Sequence, residues 1–298
     1  MSNIRKHQIF VIVSGLLLLS FFFIFVPSSD IDTSLNFNLL SQVNYFILIS
    51  FLLISTLGIS HGALDGKIIW LSGSKNNAYK LYCIYILISL LGLMIWYASP
   101  SSGLLILLSM SIVHFGSSDL MFLKQKNSLL KLSWGITMGL LPVLFHPSAV
   151  ENIFFQLTSN NSFTDILKII QYIIFLNLIF LISYTALRFV KLKESVYILL
   201  LGEIITMIAT AYYLHPLVWF GFYFCFLHGI RGLINNHFKF IPDFYWLLIF
   251  TLPISFIILF LNHELRYDGF LVVFPIIAGL TISHMLLPRI IRLFGSNG

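Results

Sequence analysis

Apolar residues form long continuous runs, separated by short polar stretches, along almost the whole of the 298 residues. Ten runs have the length of about 17–25 residues that a helix needs to cross a bilayer. They are 8–26, 39–61, 79–98, 103–122, 130–146, 166–190, 195–214, 217–234, 244–262 and 270–293. The runs do not alternate between apolar and polar residues, as the strands of a membrane barrel do. The pattern predicts an all-α, polytopic integral membrane bundle of about ten transmembrane helices.

The composition agrees with a membrane protein. Hydrophobic residues make up 58% of the chain and charged residues only 9%, too few for the surface of a soluble domain of this length. No low-complexity segment interrupts the runs, so residues 1–298 are predicted to form one membrane domain. Cys83 and Cys225 lie inside apolar runs and have no metal-site spacing. The run "WFGFYFCF" (219–226) suits a channel for an extended lipid or isoprenoid, and equally a surface that faces lipid.

The basic residues predict the orientation of the bundle. With a cytoplasmic N-terminus, fifteen of the seventeen Lys and Arg residues fall on the inner side, leaving Lys168 and Arg266 outside. The inner ones are Arg5, Lys6, Lys67, Lys75, Lys80, Lys124, Lys126, Lys131, Arg188, Lys191, Lys193, Arg231, Lys239, Arg289 and Arg292. This bias follows the positive-inside rule, so both termini are predicted to be cytoplasmic. The net charge of +6 then reflects orientation in an inner (plasma) membrane, and not binding to nucleic acid.

The two ends of this topology need separate comment. The first run follows a basic N-terminus, as a secretory signal does, but it is longer than a typical signal core and no clear A-x-A site follows it. We therefore expect an uncleaved first helix. The longest loop, 147–165, lies on the outer side in this topology and has room for a short interfacial helix.

Four histidines lie within or at the ends of even-numbered predicted helices. His61 closes the second helix, His114 lies in the fourth, His228 in the eighth and His284 in the tenth. Their distances to the next basic residue place all four at a similar depth near the cytoplasmic face. Ionisable groups inside a membrane are costly and mark functional sites, and imidazole binds iron, zinc, copper and nickel. A shared metal site, a haem, a proton relay and unrelated histidines bonded to nearby carbonyls all fit this pattern.

Three carboxylates accompany these histidines. Asp65 follows His61 by four residues, so the two share a helix face and Asp65 is placed to accept the second ring N–H. Asp119 follows His114 by five residues and is less clearly its partner. Glu203 is the only carboxylate in the middle of a predicted helix, where it either supports a site or locks the structure. The remaining histidines are predicted to be mostly solvated interface residues: His7, His146, His215, His237 and His263.

Five motifs occur in a recognisable order. They are "SHGALDG" (60–66), "VHFGSSD" (113–119), "LLPVLFHP" (140–147), "HPLVWFGFYFCFLHGIRG" (215–232) and "ISHMLLP" (282–288). In these motifs the chain resembles the Brp/Blh family of β-carotene 15,15′-dioxygenases, integral membrane proteins of bacteria and archaea linked to retinal supply for rhodopsins. The likeness covers about residues 50–290, and residues 1–38, an extra N-terminal helix and loop, lie outside it.

The resemblance implies an activity and a metal site. Members cleave β-carotene with dioxygen at the central 15,15′ double bond, giving two molecules of all-trans-retinal, and hold non-haem iron, Fe(2+), with histidines. The HGxxD and HFGxxD motifs imply His61 and His114 as ligands, and an HxxxH-like motif implies His228. Asp65 is expected to orient His61. The implied partners are β-carotene, dioxygen, the lipid bilayer and a retinal-binding rhodopsin.

One position departs from the family motif. The second histidine of HxxxH falls on Gly232, one turn after His228 on the same helix face, so one imidazole is missing. Three histidines suffice for many non-haem iron sites, and His284 is a replacement ligand if the tenth helix packs beside the eighth. Two other interpretations remain. If the missing ligand abolishes catalysis, the chain is a non-catalytic carotenoid- or retinal-binding homologue that supplies a rhodopsin. The other interpretation is a transporter that uses Glu203 and the histidines as a proton path, but it would need inverted repeats, and the sequence shows no internal repeat.

Overall fold

The computed structural model describes residues 3–25, 53–54, 59–72, 75–123, 127–160, 163–261 and 267–294. Over these ranges the chain is all-helical and contains no strand. The helices are α1 (Asn3–Phe25), α2 (Ile59–Leu71), α3 (Lys75–Ala98), α4 (Pro100–Asp119), α5 (Ser128–Phe145), α6 (Pro147–Thr158), α7 (Thr164–Leu192), α8 (Ser195–Tyr213), α9 (Pro216–Asn235), α10 (Phe240–Leu261) and α11 (Tyr267–Phe294).

These helices confirm the predicted fold class. Within the described residues, eight helices are long and apolar enough to cross a membrane: α1, α3, α4, α5, α7, α8, α9 and α11. Helix α10 corresponds to the predicted run 244–262, whereas most of the run 39–61 lies outside the described residues. Helix α6 is the short helix expected in the loop 147–165, and Pro147 occupies its first turn, where the missing N–H costs nothing. The chain is a polytopic helical membrane protein.

The predicted end of a helix at His61 is wrong, because α2 continues to Leu71. The apolar run is interrupted by Asp65 and Lys67, but both polar side chains find partners in other helices. Nζ of Lys67 lies 2.6 Å from Oδ1 of Asp243 in α10. Leu64 and Ile69 are buried, so the helix gains apolar packing after the interruption as well.

The chain divides into two compact units. Unit 1 contains the described parts of Met1–Phe51 and Ile112–Asn236, and unit 2 those of Leu52–Ser111 and His237–Gly298. The division falls inside α4. That residues 1–298 act as one membrane domain stays a prediction.

In unit 1, α4 and α5 cross at very short range. A Cβ atom added to Gly116 would overlap the backbone carbonyl of Lys131, and one added to Gly135 would overlap that of Ile112. Small residues allow such close backbone approach between membrane helices. The crossing seats the C-terminal end of α4 beside α5. A large hydrophobic cluster in unit 1 includes the buried residues Trp134, Met138, Leu181, Met207 and Trp219.

Helix α9 is not a regular α-helix. Its middle, Tyr223–Gly229, is π-helical, between α-helical segments Pro216–Phe222 and Ile230–Asn235. A π-helical turn holds an extra residue, so it changes which side chains share a face, and such turns often occur at functional sites. His228 is the penultimate residue of this segment and is fully buried.

In unit 2, α3 and α11 pack closely. A Cβ atom added to Gly92 of α3 would lie 3.2 Å from Cα of Gly279 in α11. In the same pair of helices, the hydroxyl groups of Ser89 in α3 and Ser283 in α11 are 2.7 Å apart. This packing positions the next turn of α11, which carries His284.

Candidate functional site

His228 and Asp119 form a buried pair in unit 1. Nδ1 of His228 lies 2.7 Å from Oδ1 of Asp119, and both side chains are fully buried. Since the carboxylate accepts the Nδ1–H, the neutral ring carries its lone pair on Nε2. A carboxylate on the far nitrogen is the usual outer partner of a metal-binding histidine.

Asp119 is itself held from two further directions. Its Oδ2 accepts hydrogen bonds from Nε1 of Trp134 and from the hydroxyl of Tyr223, each at 2.9 Å. Three donors offset the desolvation that a carboxylate suffers when it is fully buried. The carboxylate therefore has a fixed orientation, and so does the imidazole bonded to it.

His114 lies next to this pair. Its ring centroid is 5.2 Å from that of His228, with the two rings inclined at 69°. Phe115 contacts His228 edge to face at 4.8 Å, and Phe224 stacks on it at 5.6 Å. The structure thus brings together two of the histidines singled out in the sequence, with the rings of Phe115 and Phe224 beside His228.

Arg231 and Glu203 form a second buried pair in unit 1. The guanidinium of Arg231 donates to Oε1 of Glu203, and both side chains are fully buried. The same guanidinium lies 3.4 Å from the backbone carbonyl of Asp119 and 3.5 Å from Nδ1 of His7. Arg231, counted above with the basic residues of the inner side, is a buried group within α9. Of the two interpretations of Glu203, an ion pair that links α8 to α9 matches its contacts.

Unit 2 contains a similar carboxylate–histidine pair. Nδ1 of His284 lies 2.8 Å from Oδ2 of Asp65, which also accepts a hydrogen bond of 3.1 Å from the hydroxyl of Tyr85. Asp65 was expected to orient His61, but its described contacts are with His284 and Tyr85. The side chain of His61 lies outside the description, although its backbone belongs to the first turn of α2.

The position of the missing family ligand is buried. Gly232 follows the π-helical segment and lies in the last α-helical part of α9, with no side chain to offer. Among the described residues, no group of three or more His, Cys, Asp or Glu side chains gathers in the manner of a metal site. The donor set that the structure does bring together in unit 1 is His114 with the carboxylate-bound His228.

Comparison with known protein families shows to which family the chain belongs. A family model described as Beta-carotene 15,15'-dioxygenase matches residues 52–292. The chain belongs to this dioxygenase family. A relative named Beta-carotene 15,15'-dioxygenase, from uncultured marine bacterium 66A03, is 35% identical over 203 residues, which are 63% of this chain and 67% of the relative. No solved structure matches the chain. The resemblance drawn from the motifs is confirmed, and α1 lies outside the residues matched to the β-carotene dioxygenase family.

Sequence reasoning missed several polar groups of this β-carotene dioxygenase family member. His7 and His215 were predicted to be solvated but are only 4% and 6% exposed. Half-buried His146 bonds through Nε2 to the carbonyl of Ala211, at 3.0 Å. His237 is exposed as predicted, and His263 lies outside the described residues. One available signal was missed: Glu203 and Arg231 are opposite charges within apolar helices, and such charges must pair.

Proposed function

We propose that this chain cleaves β-carotene with dioxygen at the central 15,15′ double bond and releases two molecules of all-trans-retinal. The family match and the name of the relative support this reaction. Its atoms balance without another reductant, because the C15–C15′ bond breaks and each carbon takes one oxygen atom as an aldehyde. We further propose an inner (plasma) membrane location, where the lipid bilayer supplies β-carotene and retinal passes to a rhodopsin.

Non-haem iron(II) is the cofactor that we propose, with His114 and His228 among its ligands. When bound, iron(II) supplies the activation of dioxygen that protein side chains do not provide. Imidazole nitrogens suit iron, and the Nδ1–H of His228 is donated to Asp119, so Nε2 is the ring nitrogen through which His228 would bind a metal. His61, and His284 as the replacement for the ligand missing at Gly232, stay predictions from the sequence motifs.

The other residues of the site hold the histidine and exclude water. Asp119 fixes the tautomer of His228, while Trp134 and Tyr223 hold Asp119 in place. Phe115 and Phe224 cover the faces and edge of the imidazole. Because these groups are ordered before any ligand arrives, little reorganisation is required on binding.

A row of stacked rings supports a polyene as the substrate. Phe220 stacks on Phe224 with centroids 5.3 Å apart, and Phe224 stacks in turn on His228. The edges of rings stacked in series form an apolar strip along which the flat, rigid chain of a carotenoid can lie. We propose that this row guides the polyene so that its central double bond stops at His228.

The observation that carries the proposal is the buried His228–Asp119 pair beside His114, in a chain of this family. The test uses detergent-purified protein, loaded anaerobically with iron(II), mixed with β-carotene and exposed to air. We expect two retinal molecules per β-carotene consumed, and His114→Ala is expected to form none while it remains folded. Full activity in folded His114→Ala contradicts the site, and shorter or longer aldehydes contradict the cleavage position.

Gly232 favours one second candidate, a carrier that binds carotenoid or retinal without cleaving it. With one family ligand absent, iron is retained weakly or not at all in this interpretation. The carrier predicts pigment that co-purifies with the protein, iron well below one per chain and intact β-carotene after exposure to air. Retinal formation in the same assay rules it out.

A further inference from the structure

Helix α1 contributes two buried polar side chains to unit 1, although it precedes the residues matched to the family, 52–292. His7 is 4% exposed and Gln8 is fully buried. Polar groups buried in a membrane protein are costly unless other groups bond to them. The contacts that His7 and Gln8 make therefore show how the protein offsets this cost. Both residues contact groups that lie near His228.

His7 contacts the π-helical segment directly. Its Nε2 lies 2.9 Å from the backbone carbonyl of Phe226, two residues before His228. Its other nitrogen, Nδ1, faces the guanidinium of Arg231 at 3.5 Å. One neutral tautomer satisfies both contacts, since Nε2–H then donates to the carbonyl while Nδ1 accepts from the arginine. His7 thus joins two points of α9 that lie on either side of His228 in sequence.

Gln8 supports the partner of Arg231. Its amide nitrogen lies 3.4 Å from Oε2 of Glu203 and 3.3 Å from the backbone carbonyl of Val196. The carboxylate of Glu203 therefore accepts from Gln8 on one oxygen and from Arg231 on the other. Arg231 also reaches the carbonyl of Asp119, so the network ends at the residue that holds His228.

Close packing fixes where α1 lies against unit 1. A Cβ atom added to Gly15 would overlap the side chain of Thr206 in α8. A Cβ atom added to Gly202 of α8 would lie 2.8 Å from the side chain of Ile12. Such close contacts leave little room for α1 to slide along α8, so His7 and Gln8 are presented at a defined height.

From these contacts we infer that His7 and Gln8 of α1 are positioning residues for His228: they hold the Arg231–Glu203 pair and the π-helical segment in the arrangement that seats His228 on Asp119. The inference rests on the proposed function only in assigning iron binding to His228. Helix α1 therefore supports the site in this chain, although the family match does not include this helix.

The experiment compares full-length His7→Phe, which keeps a ring but loses both nitrogens, with His7→Gln, which keeps a donor and an acceptor. Leu17→Ala, at an exposed position of α1, is the control. Amide hydrogen exchange of peptides within 222–235 reports on the π-helical segment without iron. Iron(II) affinity and the separate kcat and KM values for β-carotene report on the site.

In His7→Phe we expect exchange in 222–235 to be about tenfold faster, with peptides of α7 unchanged. We expect iron(II) affinity and kcat to fall by about tenfold and KM to change little, as for the outer partners of metal ligands. His7→Gln and Leu17→Ala are expected to resemble the wild type. Wild-type exchange and affinity in folded His7→Phe overturn the inference, and so do equal losses in His7→Phe and His7→Gln.

Gln8→Met is the second variant, because it removes the amide at nearly constant volume and tests the same network if His7→Phe does not fold. Faster exchange in 222–235 supports the inference, and wild-type exchange overturns it. Failure of the proposed function looks different. A wild-type protein that holds no iron and forms no retinal overturns that function alone, whereas the exchange measurements still decide the role of α1.

Discussion

Oδ1 of Asp119 lies 2.7 Å from Nδ1 of His228, and the two residues, more than one hundred positions apart in the chain, are both fully buried. In the sequence Asp119 follows His114 by five residues, a spacing that does not place the two on one helix face. The structure instead gives its carboxylate to a histidine of another helix, because α4 ends beside the π-helical segment of α9. The HFGSSD motif therefore supplies two groups to the site: His114, whose ring lies beside that of His228, and Asp119, whose carboxylate bonds to His228.

Asp119→Asn is the first test of this relationship. An amide of the same shape cannot accept hydrogen bonds from His228, Trp134 and Tyr223 together, because one of its two arms is a donor. We expect the folded variant to bind iron(II) about 10- to 100-fold more weakly, as is typical when the outer partner of a ligand histidine is lost. An anaerobic iron(II) titration measures this, and unchanged affinity contradicts the role of Asp119.

The Arg231–Glu203 pair predicts strongly non-additive stability changes. Removing either partner leaves a buried charge without compensation, so Arg231→Met or Glu203→Leu alone is expected to cost about 3–5 kcal/mol. The double variant is expected to cost much less than the sum, which denaturant unfolding of all four proteins in detergent measures. The exposed pair Lys168–Asp165, 3.4 Å apart, is the control, and Lys168→Met should leave the midpoint unchanged. Additive costs contradict the pairing.

The α4–α5 crossing predicts a sharp difference between neighbouring glycines. Gly116→Ala and Gly135→Ala force a methyl group into backbone carbonyls and are expected to destabilise the fold by about 1–3 kcal/mol or more. Gly139→Ala meets only a methylene of Ile112, at 3.3 Å, and is expected to stay within about 1 kcal/mol of the wild type. Melting temperatures of the three variants in detergent measure this difference in stability. Equal shifts for all three variants contradict the close crossing.

The buried imidazole of His215 is expected to make the folded protein less stable in acid. Burial, together with charge on nearby His146, lowers the pKa of His215 from 6.5 to about 4. The unfolded chain then binds a proton more readily than the folded one, so stability is complete above pH 6.5 and falls as the pH drops to about 4. The loss from this residue reaches about 3 kcal/mol.

His215→Asn is the matched variant for this prediction. Nδ1 of His215 accepts a hydrogen bond of 3.3 Å from the backbone N–H of Leu217 at the start of α9, and an asparagine caps the helix in the same way without titrating. We expect similar stability at neutral pH and a shallower decline between pH 6.5 and 4, measured by thermal unfolding. Burial also lowers the pKa of His146, so part of the slope remains. An unchanged slope contradicts the buried, neutral His215.

The helices were predictable from the sequence because the bilayer imposes a simple rule of length and hydropathy. Among the described residues, the predicted end of a helix at His61 was wrong, because Asp65 and Lys67 break the apolar run but find partners in other helices. The histidines of the candidate site were also visible, since each is an isolated ionisable group among apolar residues. The motifs resemble those of the β-carotene dioxygenase family, and the family model confirms that resemblance.

The partners of those histidines were not predictable from the sequence. Which carboxylate meets which imidazole depends on how helices pack, as His284 with Asp65 and His228 with Asp119 show. The π-helical segment that carries His228 is a second example, because no residue type marks its extra residue. His7 looked like a terminal residue, and only the packing of α1 against α8 brings it to the backbone of Phe226.

Iron content per chain determines whether the buried imidazole of His228 binds the metal. Wild type, His228→Ala and the exposed-site control His237→Asn are loaded anaerobically with iron(II), freed of unbound metal and assayed for iron and for folding. The account predicts about one iron per chain in wild type and control, as a single mononuclear site requires, and almost none in folded His228→Ala. Equal iron in all three proteins, or none in the wild type, contradicts it.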